Sequence, residues 1–83
     1  MRLDLVLCRL RIVKTRSIAR ALAESGHMRI NSRRVQSGSH PVETEDVLTI
    51  PQGQAAIVIE ILRLPERRGP ASEAQSCYRK LDP

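Results

Sequence analysis

The hydrophobic period of this chain changes once, at Gly26, and that change limits the folds open to it. Before it, Leu3, Val6, Leu7 and Leu10 recur at i, i+3, i+4 and i+7, and Ile18, Ala19, Leu22 and Ala23 repeat the helical spacing. After it, Met28-Arg29-Ile30 alternates in, out, in, as a strand does. A helical half is therefore followed directly by a β half. The first helix is predicted over residues 2–12, with Arg2 and Arg9 on one flank of its apolar stripe and Arg11 on the other, near Asp4. Leu5 and Ile12 lie opposite that stripe, so either another part of the chain covers them, which is the expectation, or they form a small contact patch for a partner.

The second helix is predicted over residues 16–25. Thr15 is suited to cap its first turn, and Gly26 supplies the left-handed residue that ends it. This helix is expected to bury Ile18, Ala19, Leu22 and Ala23. Asn31-Ser32 makes a tight turn into Arg33-Arg34-Val35, because Asn tolerates positive φ. Residues 36–46, with Gly38 and Pro41, read as a polar connection. Two further strands follow at 47–50 and 56–64, joined by the turn Pro51-Gln52-Gly53-Gln54. Ile57, Ile59 and Ile61 point one way in the second of these, and Pro65 stops it. Pro70 opens a terminal helix whose apolar face would carry Ala71, Ala74, Tyr78 and Leu81. The expected fold class is α+β: two N-terminal helices packed on a small antiparallel β-sheet, with a short C-terminal helix. Residues 1–64 form the folded domain in this reading, and residues 65–83 an extension.

Eighty-three residues allow one domain with a modest core and little room for an enclosed catalytic pocket. Cys8 and Cys77 lie far apart without a Cys-x-x-Cys pair, which fits a reduced compartment better than a disulfide framework. The possible zinc ligands Cys8, His27, His40 and Cys77 are scattered, so no metal or other cofactor is expected. Neither histidine is spaced to form an acid–base–nucleophile set, and no glycine-rich phosphate loop exists, so the chain does not read as an enzyme. No apolar run approaches a membrane span, and the first residues lack a signal peptide's unbroken apolar stretch. A soluble cytoplasmic monomer without a membrane partner is the expectation.

Charge is distributed unevenly. Residues 1–40 hold nine Arg or Lys against Asp4 and Glu24, a net +7, whereas residues 41–83 hold five against seven acids, a net −2. Such asymmetry builds a directional field, and polyanions are its usual target. Arg16 and Arg20 are neighbours on one face of the second helix, with Ser17 beside them, in turns where the helix dipole already favours an anion. Arg67 and Arg68 fall outside this group; contact with the polyanion is the alternative for them, and pairing with Glu66 or open solvent the expectation.

The motifs in the front half carry a family likeness. Arg2-Leu3-Asp4, Thr15-Arg16-Ser17 and the passage from Gly26 to Asn31 occur in the order and spacing of the S4-type RNA-binding domain, which the chain resembles. The segments Asp46-Val47-Leu48-Thr49-Ile50 and Gln52-Gly53-Gln54 extend the likeness. The closing stretch from Arg67 to Tyr78 resembles the small stand-alone members related to the fifteen-kilodalton bacterial heat-shock protein. The chain departs from the pattern at Glu45-Asp46, where Gly-Asp is common.

This resemblance implies an RNA-binding surface of Arg2, Arg11, Lys14, Thr15, Arg16, Ser17, Arg20, Arg29, Asn31, Arg33 and Arg34. It also implies structured RNA as partner, with ribosomal RNA of the large subunit and transfer RNA as candidates, and a role in ribosome rescue or stress. With Tyr78 the single aromatic residue, such a protein cannot stack successive bases on an aromatic platform. Recognition would rest on phosphate and sugar contacts, for which the planar guanidinium is suited. The alternative from another class is a winged-helix-like DNA regulator, with residues 15–26 as recognition helix and the hairpin as wing.

Overall fold

The computed structural model describes residues 1–81. Two helices, α1 (Leu3–Arg9) and α2 (Arg16–Glu24), lead into the strands β1 (Arg29–Ile30), β2 (Arg33–Arg34), β3 (Val47–Gln52) and β4 (Ala55–Ile61). A short helix α3 (Ala71–Gln75) and a last strand β5 (Tyr78–Lys80) complete the order. The five strands form one antiparallel sheet in the order β2-β1-β3-β4-β5. The α+β expectation holds. With only α1 and α2 ahead of the hairpin, the arrangement is not a winged helix.

The core fills the space between the helices and the sheet. Leu3, Val6, Leu7 and Leu10 enter it from the first helical segment, Ala19 and Ala23 from α2, and Leu48, Ile50, Ile59 and Ile61 from the central strands. The small alanines let α2 lie close against α1, and the buried stripe is correspondingly narrow. Ile18 falls outside it and is 48% exposed, contrary to its expected burial; Leu22 is half-buried. Ile12 is half-buried and packs on the core, as expected of a residue that needs cover.

α1 is shorter than its periodicity suggests, for a local reason. Arg11 takes a left-handed conformation with φ 61°. Its N–H donates to the Cys8 carbonyl at 3.1 Å, and the Ile12 N–H donates to the Leu7 carbonyl at 3.1 Å. This is the hydrogen-bond pattern that usually closes a helix at glycine. In α2 the expected signals act as read: Ile18 N–H donates to Thr15 Oγ1 at 3.2 Å, and Gly26 follows the last turn with φ +83°. Asn31 and Ser32 turn the β1–β2 hairpin with φ 52° and 70°.

Three segments depart from the expectation. The connection 36–46 is not merely polar, because Val42 is fully buried and the loop is bonded to the N-terminus. Leu3 N–H donates to the His40 carbonyl and Asp4 N–H to the Gly38 carbonyl, both at 2.9 Å, and Val42 N–H donates to the Met1 carbonyl at 2.7 Å. β3 continues through Pro51 to Gln52, so the turn narrows to Gly53 and Gln54. Proline is tolerated there because β1 pairs only with Leu48 and Thr49, leaving the other edge at position 51 without a ladder bond to lose. Finally, Tyr78 is not on a helical face with Ala71 and Ala74. The terminal helix ends at Gln75, Cys77 is buried, and Tyr78–Lys80 pairs with Ile59–Ile61 along the outer edge of β4.

Candidate nucleic-acid interface

Asp4 is the charged residue buried within the fold, with no exposed surface. It sits in the first turn of α1, where the start of α2 also arrives. Its Oδ1 accepts from Arg2 Nε at 3.1 Å and from Arg16 Nη2 at 3.4 Å; its Oδ2 accepts from Arg2 Nη2 at 3.0 Å. The Arg2 hydrogen bonds, reinforced by the charges of Arg2 and Arg16, hold the Asp4 carboxyl below the ordinary carboxylate range against the opposing effect of burial. The same contacts push the Arg2 guanidinium up. Two cations share one carboxylate, so the group keeps a net positive charge. Both side chains remain about half exposed, at 49% and 46%.

Arg20 follows one turn along α2 and is exposed. The loop at Gly38 crosses against it: a Cβ on Gly38 would lie 3.1 Å from the Asp4 Cβ and 3.4 Å from the Arg20 Cα. Glycine thus permits the loop to close against Asp4 and the α2 backbone at Arg20. Three residues on, Pro41 forms an isolated bridge with Arg2, and Pro41 and His40 line an open groove with Ile30, Arg33, Glu43 and Asp46. The 38–41 loop therefore links the Asp4 cluster to the hairpin.

On the hairpin, Arg29 and Arg34 are direct cross-strand partners, and Arg33 opposes Ile30. Like charges set opposite each other are unfavourable; Arg29 Nη1 donates to the Ser32 carbonyl at 3.4 Å. Asn31 is differently employed. Its Nδ2 donates to Asp46 Oδ1 at 3.0 Å and its Oδ1 accepts from Val47 N–H at 2.9 Å, tying the turn to the start of β3. Asp46 Oδ2 also accepts from Glu43 N–H at 2.9 Å, and Glu45 keeps the glycine-like conformation with φ 74°.

The remaining expected residues lie around the start of α2 or beyond it. Thr15 Oγ1 caps that helix, and Ser17 is exposed in its first turn. Arg11 is not near Asp4. Its left-handed backbone removes it from the helical projection, and its Nε donates to the Gly69 carbonyl at 2.6 Å. Lys14 is exposed, and its carbonyl accepts from Arg68 Nη1 at 2.8 Å. Arg67 pairs with Glu73 at 3.2 Å and not with Glu66. Sequence reasoning did not place Arg68 beside Lys14, since the two are 54 positions apart and no local pattern joins them. Among the described residues no cluster of potential metal ligands occurs, and no helix is long and apolar enough to cross a membrane.

A family model described as the S4 domain matches residues 1–48. The chain is 40% identical over 81 residues to the heat shock protein 15 homolog of Haemophilus influenzae, covering 98% of this chain and 61% of that protein. It is 38% identical over 71 residues to the small ribosomal subunit protein uS4 of Bradyrhizobium sp. strain BTAi1, covering 83% of this chain and 35% of the relative. It thus spans less than two thirds of the length of these curated relatives. Among solved structures, the trimeric structure of Vibrio cholerae heat shock protein 15 superposes with a TM-score of 0.90 at 37% identity, covering 98% of this chain and 81% of that one.

Proposed function

The chain belongs to the S4-domain family, and from that premise we propose that it is an RNA-binding, ribosome-associated protein whose basic helix-hairpin face grips the phosphate backbone of structured RNA. The observation that carries this reading is the Asp4 cluster. One buried carboxylate orients two guanidiniums without cancelling their combined charge, and leaves about half of each side chain free for an incoming anion. A planar guanidinium can donate to phosphate oxygens from the edge that Asp4 leaves free. Arg20 extends the cluster along α2, Ser17 and Lys14 flank it, and Arg29, Arg33 and Arg34 continue it across the 38–41 loop.

Shape rather than sequence is the property read in this proposal. The one Phe, Tyr or Trp residue, Tyr78, is half-buried against the core on the far edge of the sheet, so it offers no platform on which successive bases could stack. Ribosomal RNA of the large subunit, or a large-subunit complex with transfer RNA, is the target we infer, and ribosome rescue or a stress response the setting. These finer assignments draw on the similarity to the heat-shock protein 15 homologs. The binding unit in this reading is a single chain.

Binding to a structured large-subunit RNA fragment and to duplex DNA of equal length, compared at equal salt, tests the proposal. If five or six phosphates are neutralised, log affinity falls with log salt at a slope of roughly −4 to −5. RNA is expected to bind more tightly than the duplex. A nearly flat salt response, or a preference for duplex DNA, would overturn the reading.

A further inference from the structure

The segment 65–69 lies outside the matched S4 region, yet three arginine-to-carbonyl hydrogen bonds hold it to the end of α1 and the entry to α2. Arg9 Nη1 donates to the Pro65 carbonyl at 3.2 Å, Arg11 Nε to the Gly69 carbonyl at 2.6 Å, and Arg68 Nη1 to the Lys14 carbonyl at 2.8 Å. Pro65 and Gly69 are buried by this docking, while Arg11, Lys14 and Arg68 stay exposed. A carbonyl orients a guanidinium but does not neutralise it. Three guanidiniums and the exposed Lys14 therefore lie along this segment, against Glu66 and the Arg67–Glu73 pair, whose carboxylate rests on Gly69, so the group keeps a net positive charge. Backbone groups alone do not require so many cations to hold one loop, and such clustering is repulsive unless an anion joins it.

We propose that segment 65–69 is part of the RNA interface and that Arg68 contacts a backbone phosphate adjacent to the one met by Lys14. The inference rests on the RNA-binding reading above and extends it beyond the S4 region. It makes the terminal segment a working part of the surface: docking delivers a cation from a distant stretch of sequence to the flank of α2. Arg68 still has donors on its second terminal nitrogen and Nε beyond the one given to Lys14. The ligand is the phosphodiester backbone of a folded RNA.

The test uses the full chain and a fluorescently labelled stem-loop of large-subunit ribosomal RNA, with affinity measured across a salt series. Arg68→Gln keeps an amide donor for the Lys14 carbonyl and removes the charge. Its salt slope is expected to be shallower by about one, with affinity reduced several-fold near 0.1 M salt, and Arg68→Lys is expected to restore the slope. Arg79→Gln, whose charge is paired with Glu60 on the β4–β5 edge of the sheet, leaves the slope unchanged. As a measurement independent of any variant, phenylglyoxal labelling of the native protein read by mass spectrometry should show Arg68 shielded once the RNA is bound. A steep wild-type slope that Arg68→Gln does not alter, or an Arg68 equally reactive in the complex, overturns this inference while RNA binding stands. A flat wild-type response overturns both.

Discussion

Arginines are held in two different ways at the two ends of the helical pair. Where α1 and α2 begin, Arg2 and Arg16 lean on the buried carboxylate of Asp4. Where α1 ends, Arg9, Arg11 and Arg68 lean on, or reach across to, backbone carbonyls. A carboxylate gives the stronger hydrogen bonds and the firmer geometry, but it subtracts one charge from the group it organises. Carbonyls position less firmly and subtract nothing. The first arrangement trades field for precision, and the second keeps the field. A surface that must both attract a polyanion and seat it in one orientation has use for each.

The largest expected effect comes from emptying the precise end. Arg16→Ala with Arg20→Ala removes two charge-assisted contacts, and RNA affinity at 0.1 M salt should drop on the order of a hundredfold while the circular dichroism spectrum is retained. A loss no greater than that of Arg68→Gln would erase the distinction between the two ends.

Asp4→Asn asks what the carboxylate does. If Asp4 only dilutes positive charge, its removal should tighten RNA binding. If it sets the two guanidiniums in place, binding should weaken by roughly fivefold through lost preorganisation, with Asp4→Glu recovering less than the native aspartate. We expect weakening, and tighter binding would reverse the comparison. The pH dependence of stability gives a separate readout. Because the carboxyl is held below its ordinary value, it stabilises the fold fully above the unfolded-state pKa of about 3.9. That contribution is lost as pH falls through the lower, folded value. Thermal melts of Asp4→Asn should therefore show a shallower acid limb below about pH 4 than those of the native chain.

The precise end was largely legible from sequence and the carbonyl-bound end was not. Thr15, Gly26 and Asn31-Ser32 are local signals: each acts within a few residues of itself, so reading the neighbours suffices. Arg2-Leu3-Asp4 and Thr15-Arg16-Ser17 are likewise short motifs, although only the fold brings Asp4 and Arg16 together across 12 positions. By contrast α1 ends where arginine, not glycine, takes the left-handed position, and no residue type announces that. Tyr78 satisfied a helical spacing with Ala71 and Ala74, yet the unpaired edge of β4 claimed it for a strand. Asn31 acts as the turn former it was read to be, but the use of both ends of its amide joins residues 15 and 16 positions away, which no local signal announces. Arg68 depended on a docking event that no window of sequence contains.

Thr15 stands at the seam between the two ends. The carbonyl of Lys14 before it receives Arg68, and Arg16 after it reaches Asp4. Its hydroxyl accepts from the Ile18 N–H, which leaves the hydroxyl's own proton free to donate. Thr15→Ala should cost about 1 kcal/mol of stability as a lost cap, lowering Tm by roughly 4–8 °C for a domain of this size. If that free proton also meets a phosphate, RNA affinity measured well below Tm should fall about tenfold, as one hydrogen bond to a charged oxygen implies. The salt slope should not move, because no charge is removed. Thr15→Ser should restore both stability and affinity. An affinity untouched by Thr15→Ala would confine this residue to capping, and phosphate binding would then fall to the cations on either side of it.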